Sequence, residues 1–170
     1  MEILDNEIDT YISSEEHEWR VFIGNNAGYY IPIWHKFQKQ DTKVHFHLFA
    51  MIFNIYWLGF RKMYKYAIAY LLLFQVISFF ILFLAGTDGY LQAQLILMIP
   101  YPLFGLFSNW LYYNHAQKTI AAIKRTHTKD TSQQNAIQEA GQTNSAFPFI
   151  FFFLSIFLSI FVPSLLGFSS

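Results

Sequence analysis

Three histidines stand where ligand chemistry is conceivable: His45 and His47 flank an aromatic run, and His115 closes an apolar one. Imidazoles in such places bind zinc or haem iron. The i, i+2 spacing of the first two turns them to different faces of a helix, and no Glu-x-x-His or His-Glu-x-x-His string accompanies them. Anchoring at a membrane interface accounts for them better than ligation, and neither metal nor cofactor is expected. Cysteine is absent, which removes disulfides, thiolate metal sites and Cys nucleophiles. Asp88 stands alone, and neither paired carboxylates near a membrane face nor a Ser-His-Asp set is suggested, so no catalytic residue is expected. Phe22-Ile23-Gly24-Asn25-Asn26-Ala27-Gly28 reads as a turn rather than a phosphate loop, because no Gly-Lys-Ser/Thr follows. Eleven basic residues balance eleven acidic ones, so nucleic acid is not an expected partner.

The elements that must carry these residues are set by lipid. Hydrophobic residues make up 54% of the chain and charged ones 13%, against about 25% in an average soluble domain. Between Tyr66 and Gln117 the sole formal charge is Asp88. Tyr66 to Ala85 reads as a transmembrane helix, since twenty residues rise roughly 30 Å, the thickness of a hydrocarbon core. Gly86-Thr87-Asp88-Gly89-Tyr90 then reads as a tight turn, and Leu91 to Tyr113 as the return span, kinked at Pro100 and Pro102. His115 to Ala146 is polar and reads as a short helix followed by a flexible cytoplasmic loop, and Phe147 to Gly167 as the last span. Residues 1–44 read as a polar cytoplasmic segment, with Ser13 and Glu16 placed as a capping box. Their acidic start is unlike a signal peptide, so insertion is expected from internal segments.

His45 to Phe60 would rise only about 24 Å as a helix, short for a span. His47, Asn54 and Arg61 fall on one face, and Phe49, Phe53, Tyr56 and Phe60 on the other, which predicts an interfacial or re-entrant amphipathic helix. That choice keeps three basic clusters on one side of the membrane: Lys36, Lys39 and Lys43; Arg61, Lys62 and Lys65; and Lys118 to Lys129. The expectation is an all-α membrane protein with three transmembrane helices, one interfacial or re-entrant helix and a cytoplasmic amino terminus. Four transmembrane helices is the alternative. Gln75, Gln94 and Asn109 read as hydrogen-bonding groups between helices, and the small stripe Ser155, Ser159, Pro163 and Gly167 as a packing face toward another helix or a second copy.

Trp57-Leu58-Gly59-Phe60-Arg61-Lys62-Met63-Tyr64-Lys65 resembles the Trp-Leu-x-aromatic-Arg-Lys-Met-Tyr string of the bacterial membrane family called domain of unknown function 2628. Phe22-Ile23-Gly24 with Tyr29 and Tyr30 is similar to its approach segment. Gly105, Asn109, Tyr112 and His115 are similar to its Gly-x-x-x-Asn-x-x-Tyr-x-x-His string. The family shows Phe-Asn and then Gly-Pro ahead of the Trp, where this chain has Phe46-His47 and Asn54-Ile55. The resemblance, over roughly residues 22 to 125, implies a small multi-pass protein of the inner (cytoplasmic) membrane and supplies no activity. Trp57, Arg61, Lys62, Met63, Tyr64 and Lys65 are expected to set topology and meet the interface, and Gly105, Asn109, Tyr112 and His115 to pack helices. A non-enzymatic accessory or interaction protein, touching lipids and a membrane-protein partner or its own copy, is the expected function. A small transporter or pore is the alternative, raised by the broken stretch Ile99-Pro100-Tyr101-Pro102.

Overall fold

The computed structural model describes residues 14–40, 42–93 and 98–165, with side chains described except at Leu82, 85–93, Ser155 and 158–165. Every regular element among them is helical. Helix α1 covers residues 14–23, and a 3-10 turn, Gly24–Asn26, leads into α2, Ala27–Lys39. Trp19, Phe22 and Ile23 follow i, i+3, i+4 spacing, as do Tyr30, Ile33 and Trp34 with Phe37 a turn later, and all are buried. The turn between the helices lies where the sequence puts it. It rests on Gly24, whose φ of +69° would cost a residue with a side chain roughly 1–2 kcal/mol. The stretch read as a polar segment, residues 1–44, is across its described part half of an aromatic core. The capping box at Ser13 lies outside the described residues.

Residues 42–47 run extended before α3, Leu48–Phe60, so the amphipathic helix begins later than its predicted start at His45. They lie along α5, Pro100–Thr126, where the His45 N–H donates to the Leu106 carbonyl (3.0 Å) and the His47 N–H to that of Gly105 (2.9 Å). Glycine is required at position 105, because a Cβ there would come within 2.8 Å of Met51 Cβ. α3 itself breaks at Asn54 (φ 17°, ψ −90°), whose side-chain oxygen accepts from the Ile55 N–H. The helix thus breaks at the Asn54-Ile55 pair. Its polar face is covered by protein rather than open to water: His47, Asn54 and Arg61 are buried, and Phe49 and Phe53 are exposed. Neighbouring helices supply the polar face with partners.

α4 runs unbroken from Tyr64 to Ala93, thirty residues or about 45 Å, and passes through the Gly86–Tyr90 stretch read as a turn. A glycine costs a helix about 1 kcal/mol, whereas unmet backbone groups away from water cost several, so continuity wins. Pro100 begins α5 instead of kinking it, which suits a residue without an N–H at a helix start. α5 then continues to Thr126, and α6, Asp130–Gly141, occupies most of the stretch read as a flexible loop. α7 is Ala146–Leu165, close to the predicted last span, and begins where the Asn144 side chain accepts from the Ala146 and Phe147 N–H groups. α3 lies at the centre, against α4, α5 and α7, while α2 and α6 pack on α5.

The outer helices are apolar and uncovered. Among the described residues one helix, over Tyr64–Ile81, is long and apolar enough to cross a membrane, with mean hydropathy 1.6 and only 6% of that window buried.

Candidate functional site

Arg61 stands at the end of α3 and is 6% exposed. A Schellman turn puts it there: the Met63 N–H donates to the Leu58 carbonyl (2.8 Å), the Lys62 N–H to that of Gly59 (3.0 Å), and Leu58 and Met63 close the apolar contact beneath. The guanidinium lies between two tyrosines. Nη2 donates to the Tyr30 hydroxyl of α2 (3.1 Å) and Nη1 to the Tyr112 hydroxyl of α5 (3.5 Å), with the carbon 5.0 and 4.9 Å from the two ring centres. Cation–π contacts of this kind contribute about 2 kcal/mol when desolvated. Arg61 forms no ion pair among the described residues, and its Nε has no partner. A guanidinium does not shed its proton in proteins, so the centre of the bundle holds a fixed positive charge.

His47 completes the floor. Its Nδ1 accepts from the Ala50 N–H (3.0 Å) and caps α3, a role that the shorter Asn side chain also fills. Burial holds its pKa below the ordinary 6.5, with the Arg61 charge acting in the same direction. The neutral ring therefore carries its proton on Nε2, which faces the Tyr30 hydroxyl at 3.4 Å. Tyr30 accepts from two sides, so its own O–H is left to donate elsewhere. Burial, opposed by Arg61, pushes that hydroxyl's pKa above 10. Asn109 holds the approach segment, donating through Nδ2 to His45 Nδ1 (3.0 Å) and to the His45 carbonyl (3.3 Å).

Above this floor lies a cavity of about 820 Å³. Trp57 and Tyr29 border it near Arg61, and Phe49, Phe53 and Tyr56 form apolar walls that reach the surface. A second groove, of about 950 Å³, runs along the opposite side of the Arg61–Lys62 turn, where Lys62, Lys65, Lys118 and His115 meet α6. Glu16 is spent elsewhere: it pairs with Arg20 (2.6 Å) and His35 (2.9 Å), which hold its carboxyl below the usual range. Glu18 pairs with Lys124 (2.5 Å), tying α1 to α5.

The structure divides the residues expected at an interface. Trp57, Arg61 and Met63 are buried, whereas Tyr64 and Lys65 are exposed and Lys62 is partly covered, its Nζ donating to the Glu139 carbonyl (2.8 Å). Gly105 lies against Met51, Asn109 against His45, Tyr112 against Phe22, and His115 against Phe22 and Tyr66. Ser155 and Ser159 lie on α7, with their side chains outside those described. His45, His47 and His115 do not converge, and no cluster of three His, Cys, Asp or Glu suited to a metal occurs among the described residues. Sequence reasoning missed Tyr30. Its signal was the Tyr30, Trp34, Phe37 spacing, which marks a buried helix face.

Comparison with curated proteins and with solved structures gives no match. Residues 19–118, more than half of the chain, match the family described as "Protein of unknown function (DUF2628)", and they include the second half of α1, all of α2, α3 and α4, and the part of α5 that encloses Arg61; the chain belongs to that family.

Proposed function

We propose that this is a small multi-pass protein of the bacterial inner membrane, acting as a non-enzymatic accessory or interaction protein. The observation that carries the reading is the uncovered apolar surface of α4, with 6% of its most apolar window buried. In water such a surface drives aggregation, and in lipid it costs nothing. α4, the first half of α5 and α7 are the spans of this reading. α3, thirteen residues and about 20 Å long, stays interfacial or re-entrant. The helical head of α1, α2, α6 and the end of α5 stands in the cytoplasm with the lysine clusters, and offers the Lys62, Lys65 and Lys118 groove to a partner. A pore is less well supported, since Gln75 and Ser78 are the lone polar side chains described in α4 between Leu71 and Leu84, and Gln75 is exposed.

The chain has no cysteine, which makes single-cysteine labelling direct. An impermeant thiol reagent added to intact cells should label Thr87→Cys and leave Asn25→Cys unlabelled until the cells are broken, with both variants retained in carbonate-washed membranes. Labelling of Asn25→Cys in intact cells establishes the opposite orientation, and release by carbonate removes the membrane reading.

A further inference from the structure

We infer that the aromatic pocket over Arg61 binds the anionic head group of a membrane phospholipid, with the glycerol and first acyl carbons against Phe49, Phe53 and Tyr56. This rests on the membrane reading above. A buried cation with no carboxylate beside it is unfavourable by several kcal/mol, and the pocket is where a counter-charge has room to enter. Arg61 and Tyr30 both line the pocket, and each has a donor not yet spent: Arg61 Nε, enclosed and without a partner, and the Tyr30 O–H, whose oxygen is already taken by Arg61 and His47. A guanidinium edge beside a hydroxyl suits the oxygens of a phosphate ester.

The walls decide between a lipid and a free anion. The cavity, about 820 Å³, lies within the range of small-molecule sites, roughly 300–1,000 Å³, and is far larger than a phosphate needs. Its buried polar groups, Arg61, Tyr30 and His47, lie at the floor, the exposed Asn26 also lines it, and aromatic side chains lead out to Phe49, which is 67% exposed. Charge at one end and apolar surface leading outward match an amphiphile whose tails remain in the bilayer.

The test uses the full chain in a nonionic detergent, titrated with dioleoylphosphatidylglycerol, dioleoylphosphatidylcholine or inorganic phosphate, with bound lipid read by native mass spectrometry. The expected result is saturable binding of a single phosphatidylglycerol, at least about tenfold tighter than phosphatidylcholine and weakened at least about tenfold in Arg61→Met. Phe53→Ala, at a half-exposed position outside the buried core, should weaken phosphatidylglycerol about threefold and leave phosphate unaffected. It keeps the idea testable if Arg61→Met does not fold. Equal affinity for the two lipids, a folded Arg61→Met that binds like the parent, or an unaltered Phe53→Ala overturns the proposal. Phosphate that binds as tightly as the lipid and displaces it makes this a soluble-anion site instead. Carbonate extraction is scored separately: a released chain that still selects phosphatidylglycerol defeats the membrane reading alone, and a retained chain without selectivity defeats the pocket alone.

Discussion

Trp34 and Phe153 are both large aromatic side chains on helices, yet Trp34 is fully enclosed and Phe153 is 66% exposed. Trp34 has Trp19, Tyr30, Tyr112 and Tyr113 around it, with ring centres 5.4–6.2 Å away and mostly edge to face. Phe153 belongs to α7, which meets the rest of the protein chiefly through Phe147 and Phe151 at its start. Aromatic content alone is therefore no guide to a core. In the head, apolar side chains escape solvent by contacting one another. Along the described parts of α4 and α7 they remain outside, an arrangement that the proposed bilayer setting would accommodate. The largest test of this difference is a matched pair. Trp34→Ala should cost about 3–5 kcal/mol, enough to unfold the head in mild detergent. Phe153→Ala should change the thermal midpoint by less than about 0.5 kcal/mol equivalent, because the ring contact it loses is an exposed one with the adjacent Phe152 of the same helix (5.7 Å). Comparable losses at both positions would mean that α7 is covered by protein.

Glycine gives the second contrast. A Cβ on Gly141 of α6 would fall 1.8 Å from the Phe22 carbonyl oxygen, which is backbone and cannot swing aside. One on Gly59 would fall 1.9 Å from the Phe147 ring, a partly buried side chain at the start of α7, between Tyr64 and Phe151, that can shift more readily than backbone. Gly141→Ala is expected to cost about 3 kcal/mol and Gly59→Ala about 1 kcal/mol, measured by thermal unfolding in the same detergent. Equal costs would show α7 fixed as firmly as the head.

The same physics explains which parts were legible in the sequence. α7 and most of α4 were read from unbroken apolar runs, which need no partner to be recognised. The turn at Gly86–Tyr90 was misread because Asp-Gly marks turns in water, where broken helix bonds find solvent. The prolines at 100 and 102 look alike whether they kink a helix or begin one. Arg61 and His47 were placed on a water-facing stripe because a helical wheel shows that polar residues share a side but not what lies against it. α2 shows a buried face in the Tyr30, Trp34 and Phe37 spacing, but what covers it, Trp19 from the preceding helix and Tyr112 from a part of the chain far away in sequence, does not show there. Asn109 and Gly105 were recognised as packing residues, but not the extended backbone at 45–47 that they hold, since such pairing leaves no periodic signal.

Acid should reach the head before it affects α7, whose described residues carry no titratable side chain. Burial lowers the pKa of His47 below 6.5, so between its folded value and 6.5 the unfolded chain binds more protons than the folded one. This part of the stability is full above pH 6.5 and declines as the pH falls toward the folded value. Half-buried His115, whose pKa burial also lowers, acts in the same direction, while Glu16, with its pKa lowered from 4.5, loses its contribution only below 4.5. His47→Asn keeps an N-cap acceptor and removes the titration. Its unfolding midpoint should decline less than the parent's between pH 7 and 5.5, and an identical slope would show that His47 is protonated at no cost.

The smallest effect is expected at Lys62, the joint between the two regions. Its φ is +57°, a left-handed conformation that costs a residue with a Cβ roughly 1–2 kcal/mol, and the Schellman turn that seats Arg61 requires it. Against that cost, Nζ donates to the Glu139 carbonyl, an exposed hydrogen bond of about 0.5–1.5 kcal/mol that fastens α6 to the start of α4. Lys62→Gly removes both, and the greater freedom of glycine in the unfolded chain takes back about 0.5–1 kcal/mol, so the midpoint should move by less than about 1 kcal/mol equivalent. Lys62→Ala removes the bond and keeps the strain, and should be the less stable of the two. The order of these variants separates backbone from side chain. If Lys62→Ala matches the parent while Lys62→Gly is stabilised, the Glu139 contact contributes nothing and the turn alone joins the head to the apolar helices. If Lys62→Gly is the less stable, the left-handed turn carries no cost at this position and its account here is wrong.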